Sequence, residues 1–362
     1  MANNTARLGD LATYINGYAF KPADWGDTGL PIIRIQDLTG NSYQLNRYDG
    51  EYPERIEVND GDVLISWSAS LGVYVWHRGK ALLNQHIFKV VFDKLPVNKD
   101  YFVFAVEHKL AEMESKTHGA TMKHIVKKDF DGTTIPYPPI EKQAEIADHL
   151  RHITSLIDRQ TEQLLLLDQL VKSRFIELFG DIMLNPFGWE KEYLGVVCDV
   201  RDGTHDSPHY HSTGFPLVTS KNVTGGEIDL TDCSLISEAD FNKINERSKV
   251  DMGDIIMPMI GTVGKPVIVN VKPNFAIKNV SLIKFKDDSR VLNTFIRSLL
   301  QSDYFDDAVL SKVRGGTQKF IALGDIRKLV VIVPPMELQE QFAAFVEQTD
   351  KSKLCGKTEV AA

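Results

Sequence analysis

Three stretches of the chain carry residue types that catalysis or ligand binding would need. Gly261-Thr262-Val263-Gly264-Lys265-Pro266 has the glycines and lysine of a phosphate loop. Two residues separate its glycines where four are needed, and Pro266 stands where Ser or Thr would reach a metal. Tyr137-Pro138-Pro139-Ile140 approaches the Pro-Pro motif of amino-methyltransferases but lacks the leading Asn or Asp. His205, Asp206, His209 and His211 crowd one Pro-containing loop without a second ligand cluster, which favours an exposed loop over a metal site. No G-x-S-x-G or H-E-x-x-H occurs. Cys198, Cys233 and Cys355 are odd in number and far apart, so neither a disulfide framework nor a zinc site is indicated. The motifs of an enzyme acting alone are missing.

Bulk properties narrow the class. A chain of 362 residues predicts two or three domains, and 43% hydrophobic with 25% charged residues is ordinary for a soluble protein. No apolar run reaches the roughly 18 residues that span a bilayer. The N-terminus, MANNTARLGD, lacks the pattern of a signal peptide, so the expected location is a reducing cytoplasm. The net charge of −8 is uneven: residues 141–190 hold 5 basic and 9 acidic residues, while 191–336 balance at 18 each. A near-neutral domain can still present one basic face, so charge neither favours nor excludes a nucleic-acid partner.

The element that must position everything else runs from Ile140 to Gly180 without an internal Gly or Pro. Ile146, Leu150, Ile153, Ile157, Gln160, Leu164, Leu167, Val171, Arg174 and Leu178 alternate steps of four and three, a heptad seam with eight apolar positions of ten. At 1.5 Å per residue this predicts a helix about 60 Å long. Leu165, Leu166 and Leu170 widen the stripe, so more than one surface can meet it. The competing reading, a core helix of a bundle, is disfavoured because the flanking segments do not read as bundles.

On either side of this helix the sequence repeats. Gly29-Leu30-Pro31-Ile32-Ile33 matches Gly214-Phe215-Pro216-Leu217-Val218; Gly61-Asp62-Val63 matches Gly253-Asp254-Ile255; Asn84 before Ile87-Phe88-Lys89-Val90 matches Asn279 before Leu282-Ile283-Lys284-Phe285; and Pro138-Pro139-Ile140-Glu141-Lys142-Gln143 matches Pro334-Pro335-Met336-Glu337-Leu338-Gln339. The offset drifts only from 185 to 196 and the order never changes. Short β-type runs bounded by Gly, Asp and Asn, then amphipathic helical pieces, fill each block. The expected class is α+β: two tandem globular domains joined by a long coiled-coil-forming helix, with a second, shorter helix at the C-terminus. The expected boundaries are 1–139, 140–182, 183–335 and 336–362. In the second helix the seam fades after Val346, because Thr349 and Lys353 replace Ile153 and Ile157, and Lys351–Ala362 holds no further heptads. The shortfall expected relative to the first helix is about 25 residues.

Two tandem blocks, each ending in Pro-Pro-x-Glu-x-Gln and a heptad helix, resemble the specificity subunit of type I restriction–modification systems. The join FIELFGD…NPFGWEKEYLG and the stretches DGTHDSPHY and VTSKNVTGGEI carry the same resemblance, which covers nearly the whole chain. The departure from the family pattern is the shorter C-terminal helix. The resemblance implies a non-catalytic DNA reader: each target-recognition domain reads half of an asymmetric bipartite site, and the helices act as ruler and docking site for methyltransferase subunits. A restriction and translocase subunit joins for endonuclease action in defence against foreign DNA. S-adenosylmethionine, ATP and Mg belong to those partners, and this chain binds no cofactor. An interaction scaffold spacing two non-DNA domains, or an enzyme acting alone, are the rival readings.

Base reading needs polar side chains on loops and strand ends. The candidates are Arg34, Gln36, Ser68, Ser70, Gln85 and His86 in the first domain, and Ser220, Lys221, Asn222, Thr262, Lys265, Lys278 and Asn279 in the second. Gly119-Ala120-Thr121-Met122-Lys123 and Gly315-Gly316-Thr317-Gln318-Lys319 are either tight turns or phosphate cradles, which adds Lys123, Gln318 and Lys319. Antiparallel pairing of the two helices would leave Ile146, Leu150, Ile153 and Ile157 to another protein, a methyltransferase subunit or a second copy, while Leu164, Leu167, Val171 and Leu178 face Phe342 and Val346.

Overall fold

Pro138-Pro139 disfavours helix before residue 140 and suits one just after it. In the computed structural model the helix runs Ile140–Phe179, 40 residues without a break. Gly180 stops it: its φ of +76° is a left-handed conformation, and its N–H donates to the Ile176 carbonyl at 2.8 Å. The structure describes residues 5–40, 46–116, 126–260, 263–312 and 320–361. The chain divides into two units, Met1–Asp158 and Arg159–Ala362. That division falls inside the helix rather than at its ends, so each unit carries a share of it.

In the first unit a four-stranded antiparallel sheet takes the order Thr13–Asn16, Ile87–Val91, Val63–Ser66, Gly72–Val75. A second sheet, Arg47–Tyr48, Leu30–Ile33, Ala81–Leu83, Glu57–Val58, has a parallel pair at its centre. The second unit repeats the arrangement with Asp199–Asp202, Val280–Lys284, Ile255–Pro258 and Val267–Ile268, and with Ser234–Ile236, Phe215–Val218 and Ala276–Ile277. The matched Gly-Asp pairs do the same work in each. Gly61 and Gly253 donate to the carbonyls of Trp76 and Val269, while Asp62 and Asp254 each accept a backbone N–H three residues back. Asp254 also holds Lys284 at 2.5 Å.

A pair of glycines outside the aligned motifs is equally shared. A Cβ on Gly17 would lie 2.0 Å from the Asn84 carbonyl oxygen, and one on Gly203 would lie 2.4 Å from that of Ile277. Only glycine lets those segments approach. The bridges also correct the alignment by one residue. Tyr18 pairs with Asn84 as Thr204 pairs with Lys278, so Lys278, not Asn279, is the structural counterpart of Asn84.

The Pro-Pro-x-Glu-x-Gln motif is a fastening. Gln143 is fully buried; its Oε1 accepts the Asn98 N–H at 2.9 Å and its Nε2 donates to the Pro138 carbonyl at 2.8 Å. Gln339, also fully buried, accepts the Leu292 N–H at 2.8 Å and donates to the carbonyls of Pro334 and Arg290. Each glutamine ties the start of its helix to the loop that opens an earlier helix, Lys99–Lys116 or Asn293–Leu299.

In the second unit four phenylalanines complete the attachment. Phe175 and Phe179 of the long helix meet Phe295 and Phe342 with ring centroids 4.8 to 5.5 Å apart. The C-terminal helix, Met336–Ala361, runs antiparallel to the long helix: Phe342 lies on Phe175 and Phe179, the Arg174 guanidinium on Phe345, and Lys353 on Asp168 at 2.6 Å. This corrects the expectation that the second helix loses its pairing after Val346. At 26 residues against 40 it is the shorter helix, but Thr349 is buried with its hydroxyl donating to the Phe345 carbonyl. The aliphatic stem of Lys353 continues the seam. Val346 is buried, and Leu164, Leu167, Val171 and Leu178 are half-buried.

Replacing Gln339 by Ala strands two carbonyls and one N–H, of which the buried Pro334 carbonyl alone costs about 1–3 kcal/mol when unpaired. Thermal melting is expected to fall by several degrees for Gln339→Ala and to stay within about a degree for exposed Glu340→Ala. Equal melting of the two variants would refute the fastening role.

Candidate nucleic-acid interface

The candidate residues converge where strand ends are stitched together by backbone hydrogen bonds. In the first unit the three residues 84–86 hold three segments: Asn84 donates to the Ile33 carbonyl, Gln85 to that of Tyr18, and His86 accepts from the Trp67 N–H. Arg34, Ser68, Ser70, Gln85 and His86 therefore share one junction. Gln85, His86 and Ser70 are exposed, and Ser68 is half-buried. His86 has a φ of +75°, a conformation that costs a non-glycine residue energy and clusters at functional sites. Its ring rests on Trp67, centroids 5.0 Å apart, and Trp67 stacks on Phe88.

Arg34 is less free than its sequence position suggests. The Asp37 carboxylate accepts from its backbone N–H at 2.8 Å and from its Nε at 3.3 Å, and its guanidinium lies 5.9 Å from the Trp25 ring centre. Gln36 is exposed beside it. Trp25 and Tyr18, both exposed, join Trp67 as aromatic groups of this face, which no pattern of hydrogen-bonding residue types reveals. Exposed aromatics beside cations suit stacking on bases or sugars.

The second unit builds the same junction with other side chains. Lys278 donates its backbone N–H to the Val218 carbonyl and Asn279 to that of Thr204. Ser220 is half-buried, while Lys221 and Lys265 are exposed, with Lys221 3.7 Å from Asp232. Two candidates are corrected. Asn222 is 3% exposed; its Oδ1 caps Thr219 and its Nδ2 donates to the Asp232 carbonyl, the role Asp37 has in the first unit. Lys278 is 8% exposed and its Nζ donates to Ser207 Oγ at 2.7 Å. Lys123, Thr262, Gln318 and Lys319 lie outside the described residues.

His205 has a defined place. Its Nδ1 is 2.9 Å from Asn279 Oδ1 and its Nε2 is 2.9 Å from Asp202 Oδ2, and Arg247 binds the other Asp202 oxygen. The Asn279 carbonyl and the Asp202 carboxylate hold its pKa above the ordinary histidine value. Cys198 is a core residue, and burial pushes its thiol up to about 12, far from the thiolate that nucleophilic chemistry requires. Ile153 and Ile157 on the long helix are 50% and 44% exposed, with Leu156 49% exposed between them, while Ile146 and Leu150 are half-buried.

The family described as the type I restriction modification DNA specificity domain matches residues 3–167 and again 186–359. The chain belongs to this family. Among curated proteins, this specificity-family chain is 24% identical to the Escherichia coli type I restriction enzyme EcoBI specificity subunit, over 94% of the chain and 78% of that protein. It is 25% identical to the Methanocaldococcus jannaschii MjaVIII specificity subunit, over 95% and 85%. Its fold is similar to that of the S subunit from M. genitalium, with a TM-score of 0.58 and 15% identity over 99% of this chain and 92% of that one. A second chain, from a type I R-M system described for complex assembly and conformational transition, gives 0.54 at 18% identity over 99% and 92%. Among the described residues no helix is long and apolar enough to cross a membrane.

Loss of the buried cap in Asn222→Ala is expected to cost about 1–3 kcal/mol. Lys221→Ala, which removes an exposed ion pair, should cost less than about 0.5 kcal/mol. Denaturant unfolding compares the two, and an Asn222→Ala variant as stable as Lys221→Ala would return Asn222 to the free surface.

Proposed function

We propose that this chain is the non-catalytic target-reading subunit of a type I restriction–modification complex. Each unit reads one half of an asymmetric, two-part duplex sequence through its junction of stitched strand ends. The reading is carried by one observation: a single framework occurs twice, with different side chains, exposed or half-buried, at the same place in each copy. Gln85 and His86 with Trp67 occupy it in the first unit, and Asn279 with His205 in the second. Repetition of the framework supports contact with a repeating ligand, and divergence of the tips supports a non-palindromic target. Joining two modest binders makes the second contact intramolecular and multiplies affinity.

The unbroken Ile140–Phe179 helix supports a ruler between the two contacts. Its apolar positions Ile153, Leu156 and Ile157, about half exposed, support docking of another polypeptide, a methyltransferase subunit in this reading and otherwise a second copy of the chain. A free chain that stays monomeric at high concentration would count against the need for such a cover. S-adenosylmethionine, ATP and Mg would act in the methyltransferase and restriction subunits, which supply the reactions.

Methylome sequencing of cells carrying this chain with its methyltransferase should yield a two-part motif with a fixed gap. Inserting one heptad after Leu156 lengthens the helix by about 10 Å. The gap should widen by about three base pairs at 3.4 Å each, with both half-sites unchanged. An unchanged gap would remove the ruler, and an undivided motif would remove two-part reading.

A further inference from the structure

At the junction of the second unit, one amide faces one imidazole. Asn279 is half-buried with φ of +56°, and its backbone N–H donates to the Thr204 carbonyl at 3.2 Å. Its Oδ1 lies 2.9 Å from His205 Nδ1, and its Nδ2 makes no hydrogen bond to the described residues. Both line a cavity of about 320 Å³ together with Ile260 and Phe320. The other ring nitrogen of His205 lies 2.9 Å from Asp202 Oδ2. Asp202 is 7% exposed and is fixed from its other oxygen by Arg247.

The donor and acceptor inventory is restrictive. With the amide in this orientation a carbonyl oxygen and a carboxylate oxygen are both acceptors, so an imidazole that bonds to both carries a proton on each nitrogen. The charged groups facing the ring are Asp202 and Arg247, while Lys278 beside Asn279 is turned onto Ser207. When the ring loses a proton it keeps one N–H, and the Asp202 side chain holds that one at Nε2. Nδ1 is then a lone pair opposed to the Asn279 carbonyl. Rotation of the amide by half a turn relieves the opposition, because Nδ2 then donates to Nδ1 and Oδ1 faces outward.

We propose that His205 is a positioning residue that sets the hydrogen-bond polarity Asn279 shows to a base edge. With the ring cationic, Asn279 presents N–H donors, which suit guanine O6 and N7 or thymine O4. With the ring neutral it presents a carbonyl, which suits the amino groups of cytosine or adenine. The inference rests on the second junction facing DNA. The first unit has Ala19 at the position corresponding to His205, in Asn16-Gly17-Tyr18-Ala19 against Asp202-Gly203-Thr204-His205, so the effect belongs to one half-site.

The sign follows from the raised pKa: the ring is cationic below the ordinary histidine value near 6.5 and becomes neutral as pH rises through its higher folded value. The test uses the complete chain bound to its methyltransferase subunits and duplexes carrying the methylated motif with each position substituted in turn. Binding is compared at about pH 6, where the ring with its raised pKa is cationic, and at about pH 9, toward its neutral form. At one base pair of one half-site the preference should move from an acceptor-bearing to a donor-bearing base by roughly tenfold, with the other half-site unchanged. His205→Gln, which has no titrating ring, should show one preference at both values. A preference that ignores pH, a change spread over both half-sites, or a pH-dependent switch surviving in His205→Gln would each overturn the proposal. Absence of any methylated motif would overturn the specificity reading itself, and the switch with it.

Discussion

A helix can be aimed from a domain only if its start is fixed to that domain, and in each unit the fixing is a buried glutamine. Gln143 and Gln339 each satisfy a carbonyl and an N–H of the loops beside them from a fully buried side chain. Of the two prolines before each glutamine, the first has its carbonyl paired with the side-chain amide and the second with the backbone N–H. A leucine of similar volume would fill the space but leave the polar groups unpaired, so the motif requires an amide. The same clasp at residues 138–143 and 334–339 explains why this short sequence recurs when most of the surrounding residues have diverged.

Around that clasp the two units keep one frame and change the tips. Gly17 and Gly203 allow the same close approach, and the Asp62 and Asp254 turns close the same corner. What differs is chemistry: the first junction is aromatic, with Trp67 beneath His86, while the second is ionic, with Arg247, Asp202 and His205 in a row. A frame held by backbone hydrogen bonds and glycines does not constrain the side chains at its edge.

Much of this was legible in the residue pattern, for identifiable reasons. The long helix announced itself because forty residues without Gly or Pro kept one apolar seam, and the repeat because turns demand particular residues at particular places. The continuation of the C-terminal helix was not legible, since a seam counted by apolar side chains overlooks Thr349, which satisfies its own hydroxyl, and Lys353, which buries its stem. Asn222 could not be told from a surface asparagine, because capping and base reading ask for the same amide. His205 was seen as one of several crowded histidines, and nothing local marks Asp202 and Asn279, three and 74 residues away, as its partners.

Between the strand partners Leu83 and Ile87 the first unit has three residues, Asn84, Gln85 and His86, where the second, between Ile277 and Val280, has two. The additional residue, His86, adopts a left-handed turn, as Asn279 does in the shorter version, and the ladders on both sides keep their register. The connection thus tolerates insertion where a strand interior would slip and invert every side chain. Side chains at this connection can therefore change in number and kind while the sheets beside them stay as they are.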